Sequence, residues 1–359
     1  MIFRILFFFL FVCSFNLWGQ QAIRSFGLKT NYGFIIPHSE DIRSVSDANP
    51  WSIELDYSRL KTDEKSFQLC ACYPQSGFLL SYINFDNPEI IGHGITFVPF
   101  IEPFFGDYKK LMFSLRAGAG FIYLTNPFDS ISNPQNLFYS THFSFVLLMN
   151  FRLNYFISDH VNLNLSANYH HISNGGVKQP NKGINFPMAS LGLNYIINPK
   201  KFGNDEKIPF QEIHLKRNYF IPSVFYTQIE LGDDGRIYPL YGADFFYKRI
   251  IGRVSAFDLG AELVIDHAAK RKIELDSTEN FGTDYKYVGL EAGHTFLMGK
   301  FWFSTDVGVY IYKNHQTKDE WYQRYYLSYR IREKYYFGIS LKAHRHVASF
   351  LDFRIGLAF

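Results

Sequence analysis

Hydrophobic and polar residues alternate with a period of two along most of this chain. The clearest instance is the last, "FLDFRIGLAF". Leu351, Phe353, Ile355, Leu357 and Phe359 fall in one phase, and Asp352, Arg354, Gly356 and Ala358 in the other. Successive side chains on a strand point to opposite faces, so this pattern predicts a strand with one apolar and one polar, small-residue face. On the edge of a soluble sheet that apolar row has no obvious cover.

About sixteen segments of this kind can be marked. The first eight begin near Ala22, Trp51, Gly77, Gly92, Lys110, Phe138 or just after, His160 and Asn185. The second eight begin near Tyr219, Tyr238, Val254, Tyr285, Phe301, Trp321, Tyr335 and Ala348. Most run for roughly 9 to 14 residues, near the ~9–11 that a tilted membrane strand needs. Strands facing lipid cannot leave edges unpaired and must close into a barrel. The expected fold is therefore all-β, an antiparallel transmembrane barrel. A terminal Phe on an amphipathic strand is similar to the C-terminal signal of bacterial outer-membrane proteins.

The turns fit that frame. With both ends of the barrel in the periplasm, the long loops 34–49, 125–137, 172–184, 270–284 and 313–320 lie outside, and short turns near Gly252, Gly299 and Glu333 lie inside. Two inner connections are long, 61–76 and 198–218. The second, "NPKKFGNDEKIPFQEIHLKRN", is charged and divides the chain into a first half (20–197) and a second half (219–359). One barrel of about sixteen strands is the leading expectation. Twelve to fourteen strands, or two eight-stranded halves, are the alternatives. The halves end alike, in "NLSANYHHISN" and "GISLKAHRHVAS", as a duplication would leave them.

Composition narrows the setting. The 359 residues carry a formal charge of +3, which implies no nucleic-acid partner. Aromatic residues make up 19%, yet mean hydropathy is only -0.11, as expected of strands with one wet face. Residues 1–19, "MIFRILFFFLFVCSFNLWG", read as a signal peptide, with Arg4, a short apolar run and a small residue at the cut. No later run is apolar and long enough for a membrane helix. Cys70 and Cys72 remain, in "CAC". Placed on one side of a strand they would strain if bridged, so they read as free small residues.

The segment with chemistry is "YHHISNGGVKQPNKGIN", 169–185. In the strand before it, Asn162, Asn164, Ser166, Asn168 and His170 share the lumen phase, while Leu163, Leu165, Ala167, Tyr169 and His171 share the lipid phase. Ser173 continues on the side of His171, and Asn185 is in the apolar phase of the next strand. Two residues along a strand is roughly 6.5–7 Å, too far for direct bonding of short side chains. The bend invited by Asn174-Gly175-Gly176 can bring the imidazole to the hydroxyl, which needs a base to act as nucleophile. Freed glycine N–H groups can serve as oxyanion donors. On spacing alone, a polar turn at the membrane rim is the plainer reading. In the second half, His344 and His346 fall in the lumen phase and read as polar lining.

"HISNGGVKQPNKGIN" resembles the active-site segment of the outer-membrane lipid A 3-O-deacylases, the PagL-like acyloxyacyl hydrolases. "SYINFDNPEIIGHGITFVPFIEP" (81–103) has the look of the same family. The resemblance implies hydrolysis of the 3-linked acyl ester of lipid A in the outer membrane, with no cofactor. It implies His171 as base and Ser173 as nucleophile. It further implies Asn181 with the Gly176 N–H as oxyanion hole, and Asn174 in support. Asn185 stands where the family has a glutamate. An asparagine can orient a histidine but cannot stabilise an imidazolium by charge. The chain is also about twice as long as a minimal member, and residues 199–359 are not accounted for by the motif. A porin-like channel or transporter is the alternative, since a sixteen-stranded barrel can hold a pore.

Overall fold

The structure is a computed structural model. It describes residues 22–105, 110–200, 208–210, 216–231, 236–276, 282–315, 317, 319–332, 334–345 and 347–359, with backbone only for Lys65 and Leu69. The expected signal peptide, most of the 198–218 connection and His346 lie outside the described residues.

Sixteen antiparallel strands form. In the first half they are β1 (Ala22–Gly33), β2 (Trp51–Lys61), β3 (Tyr73–Asn84), β4 (His93–Phe105), β5 (Leu111–Leu124), β6 (Phe143–Phe156), β7 (Val161–Ser173) and β8 (Ile184–Ile196). In the second they are β9 (Asn218–Glu230), β10 (Ile237–Gly252), β11 (Ser255–Asp266), β12 (Gly282–Met298), β13 (Phe301–His315), β14 (Trp321–Ile331), β15 (Tyr335–His344) and β16 (Val347–Leu357). They close as two barrels of eight, not as one of sixteen. β8 turns back onto β1, from Phe26 opposite Tyr195 to Gly33 opposite Met188. That return satisfies both edges before the second half begins.

Each lumen is filled by charges that neutralise one another. In the first barrel Arg116 reaches Glu102 (2.8 Å), Asp56 (3.0 Å) and Glu54 (3.2 Å), while Lys29 meets Glu54 (2.8 Å) and Arg152 meets Glu102 (2.9 Å). In the second, Arg324 and Arg354 share Asp352, and Lys248 holds Asp258 (2.7 Å). Such charges are tolerated inside because each has a partner. Eight strands enclose a space that side chains can fill, so the wide barrel behind the channel alternative is not formed.

Above the first lumen, under the long loops, sits an apolar plug that includes Ile42, Phe85, Ile91, Phe138, Tyr139, Ile172, Ile184 and Phe186. Phe138 and Tyr139 belong to this plug rather than to a strand, which is why β6 begins only at Phe143. The buried Tyr139 hydroxyl donates to the Ile91 carbonyl, and burial pushes its pKa up, so it stays a neutral donor.

The 61–76 connection contains a helix, α1 (Glu64–Cys70). Asp63 caps it, accepting from the Ser66 N–H (2.9 Å) and hydroxyl (2.8 Å). Ala71 ends it in the left-handed conformation (φ 51°). Cys70 and Cys72 therefore flank a helix end, not a strand, and they are disulfide-bonded. The expectation of free thiols is corrected on that ground, and β3 begins right after the bridge. A second helix, α2 (His267–Leu275), follows β11.

Candidate active site

Backbone pairing assembles the site at the long-loop rim of the first barrel. In the β6–β7 ladder Ser173 lies opposite Phe145 and His171 opposite Leu147. In the β7–β8 ladder His171 lies opposite Asn185. As the alternation requires, His170 points inward, buried and stacked on Phe186 (5.0 Å between centroids). His171, Ser173 and Asn185 are half-buried on the outward face.

His171 Nδ1 is 2.7 Å from Asn185 Oδ1. An amide oxygen only accepts, so His171 carries its proton on Nδ1 and presents a bare Nε2. Behind Asn185 stands His38, to which sequence reasoning gave no role. Beyond β1 the chain keeps pairing with β8: the Ile36 N–H donates to the Asn185 carbonyl (2.8 Å), and this delivers His38 to the site. His38 Nε2 is 2.9 Å from the Lys182 carbonyl, and Asn185 Nδ2 approaches His38 Nδ1 at 3.4 Å. One proton order links the three side chains: His38 donates from Nε2 to Lys182, Asn185 donates to His38 Nδ1, and His171 donates to Asn185 Oδ1, which leaves the 3.4 Å approach of His38 Nδ1 to the Ile36 carbonyl without a proton.

Ser173 Oγ accepts two hydrogen bonds, from Asn181 Nδ2 (2.9 Å) and from the Gly175 N–H (3.1 Å). Asn181 is oriented by the Asn174 N–H, which donates to its Oδ1 (3.1 Å) and so turns the NH2 toward the serine. Asn174 ties the loop together. Its Oδ1 accepts from the Gly176 N–H (2.9 Å), and its Nδ2 donates to the Lys178 carbonyl (2.7 Å) and to Ser140 Oγ (3.2 Å). The Gly176 N–H is thus occupied by Asn174, and the glycine N–H that faces the serine is that of Gly175.

Among the described residues, His171 and Ser173 share no hydrogen bond, but they converge on Gly183. A Cβ on Gly183 would stand 3.1 Å from His171 Cε1 and 3.7 Å from Ser173 Cβ, and its φ is +74°. Glycine takes this left-handed conformation without strain and keeps a methyl away from the imidazole edge. No group of three or more metal-binding side chains occurs among the described residues.

Comparison with known proteins places the chain. Residues 54–194 match the model of a family described as lipid A 3-O-deacylase (PagL), and residues 215–359 match that of the acyloxyacyl hydrolase C-terminal domain. The chain belongs to the PagL-like acyloxyacyl hydrolases. Similar solved structures include the outer membrane enzyme PagL, at 15% identity and TM-score 0.30, covering 46% of this chain and 97% of that one. Neisserial surface protein A matches at 13% identity and TM-score 0.30, over 48% of this chain and 95% of that one. OccK5 of Pseudomonas aeruginosa matches at 9% identity and TM-score 0.24, over 95% and 98%. No curated protein matches.

As a PagL-like barrel protein the chain is an integral outer-membrane protein, and its apolar outward rows face lipid. The side chains around Ser173 thus open toward the bilayer and not toward a water-filled lumen. Asn185 has its amide bonded on both sides, its oxygen to His171 and its NH2 to His38.

Proposed function

We propose that this protein hydrolyses the 3-O-linked acyl ester of lipid A in the outer leaflet, after removal of residues 1–19 on export. Ser173 Oγ attacks the ester carbonyl while His171 Nε2 takes its proton. The carbonyl oxygen becomes an oxyanion within reach of Asn181 Nδ2 and the Gly175 N–H, donors already aimed at the serine. His171 then gives the proton to the departing sugar oxygen, breaking the ester and leaving an acyl-serine. Water, deprotonated by His171, releases the fatty acid and restores the serine. The observation that carries this reading is a histidine with Nδ1 fixed by Asn185, beside a serine held by two donors, on the lipid-facing side of the rim.

Asn185 orients His171 but leaves the imidazolium without a countercharge. The amide does so without freedom to flip, because His38 takes its NH2 while His171 takes its oxygen. A neutral orienting group lowers turnover relative to a carboxylate without abolishing it. The test is fatty-acid release from purified lipopolysaccharide by the wild-type protein and by Ser173→Ala, with both shown to be folded barrels. Release by the wild type alone supports the reading; equal release by both removes this serine from the chemistry.

A further inference from the structure

The second barrel touches the catalytic loop itself. A Cβ on Gly175, the residue whose N–H donates to Ser173, would stand 3.1 Å from Leu351 Cβ of β16 and 3.6 Å from the Phe145 ring. A Cβ on Gly176 would stand 3.8 Å from the Ser349 carbonyl. The Phe145 and Phe353 rings lie 6.5 Å apart, and the Gln179 N–H donates to Glu230 of β9 (3.1 Å). Leu351 and Phe353 belong to the outward, lipid-facing phase of β16, whereas Asp352 and Arg354 point into the lumen.

The seam of the second barrel is also incomplete at this place. β16 pairs with β9 only from Phe353 opposite Tyr226 to Gly356 opposite Ser223. Before Phe353, toward the long-loop rim, the ladder stops. The end of β16 that carries Ser349 and Leu351 therefore presents its edge to the first barrel's loop instead of to β9. Strand edges in a membrane protein are rarely left open without a use.

We propose that the second barrel supplies part of the acyl-chain subsite: Leu351 and Phe353, packed beside Phe145, extend the apolar surface along which the first methylenes of the fatty acyl chain lie when its carbonyl sits at Ser173. This rests on the hydrolase reading above. Its ligand is a saturated acyl chain, since the surface is apolar, faces lipid and adjoins a serine whose polar partners are confined to the loop. It gives the second half of the chain a role in the reaction: chain selection at a site built by the first half.

The test compares kcat/KM for tetradecanoyl and acetyl p-nitrophenyl esters, using the full chain in mixed micelles. Contact with about two methylenes corresponds to about tenfold in kcat/KM, so Leu351→Ala/Phe353→Ala lowers the long-to-short ratio about tenfold. Leu263→Ala, on the lipid face of β11, leaves the ratio at the wild-type value. If Ser173→Ala abolishes hydrolysis of both esters and Leu351→Ala/Phe353→Ala keeps the wild-type ratio, Leu351 and Phe353 are only a contact between barrels and the subsite is overturned alone. If Ser173→Ala hydrolyses both esters as the wild type does, the hydrolase reading fails and the subsite with it.

Discussion

The two barrels end in the same way and differ in what the ending holds. In each, the penultimate strand carries a histidine at or near its end, and a serine follows within five residues. In the first barrel the histidine is His171, outward and half-buried, with Nδ1 fixed and Nε2 bare. Its serine is held by an Asn amide and a glycine N–H from the 174–183 loop. In the second barrel the histidine is His344, buried on the lumen side, with Nδ1 on Ser349 Oγ (2.8 Å) and Nε2 on Tyr310 (2.9 Å). Only residues 345 and 346 separate β15 from β16, with Arg345 in the left-handed conformation (φ 54°). A connection that short has no room for amide donors. A histidine near a serine is therefore not the distinguishing feature. The phase of the histidine and the length of the loop after it decide whether an oxyanion could be stabilised.

The comparison can be broken most strongly at the serines. Ser173→Ala is expected to lower lipid A deacylation by about 10³-fold or more, by loss of the nucleophile. Ser349→Ala is expected to stay within about twofold of wild type, because among the described residues the Ser349 hydroxyl meets His344 and no amide donor. Equal losses in the two variants would make the barrels equivalent and contradict the assignment. Release of hydroxy fatty acid, measured by chromatography, reads both.

Next in size is the loop. Asn181→Ala removes one of the two donors on Ser173 and is expected to cost about 10²–10³ in kcat. Gly183→Ala places a methyl against His171 Cε1 in a backbone conformation that alanine resists, about 1–3 kcal/mol of strain. It is expected to lower kcat more than it raises KM, since it moves the base and not the lipid surface. A variant with wild-type kcat would mean that the imidazole does not work from this position.

A smaller effect tests the orienting chain. His38→Phe keeps the ring but cannot accept from Asn185, and a decrease in kcat of about tenfold is expected from the freed amide. Asn185→Glu places a carboxylate behind His171 and is expected to raise kcat. No gain would mean that another group already stabilises the charged histidine. The smallest effect lies at the opposite rim, where Arg253 of the second barrel donates to the Gln68 carbonyl of α1. Asp63→Ala removes the cap of α1, at a cost of about 1 kcal/mol, with deacylation unchanged. Burial favours the neutral form of Asp63, but the Ser66 bonds outweigh it and hold the folded pKa below the ordinary value. The cap's contribution is thus present above the unfolded carboxyl pKa, about 3.9, and declines as the pH falls toward the folded value. Thermal melts at neutral and acid pH check this.

Much of this was readable from residues alone, and the exceptions have physical reasons. Strand number and the sidedness of His170 and His171 follow from a period of two, a local property that survives folding. Closure does not: whether β8 meets β1 or β9 depends on pairing between Phe26 and Tyr195, far apart in sequence. His38 was missed for the same reason, since only the pairing of Ile36 with Asn185 brings it to His171. Gly175 and Gly176 are adjacent in sequence and differ in which oxygen their N–H meets, Ser173 Oγ or Asn174 Oδ1. Backbone geometry separates them where composition cannot. Cys70 and Cys72 misled because the turn after α1 is written in the same apolar residues as a strand.

The central claim is that the rim of the first barrel carries the serine that cuts lipid A. Mass spectrometry of lipid A from outer membranes containing either the wild-type chain or Ser173→Ala at equal abundance tests it most directly. The account predicts lipid A lighter by one 3-linked hydroxyacyl chain with the wild type and full-mass lipid A with Ser173→Ala. The same mass loss with both proteins, or none with the wild type, would contradict it.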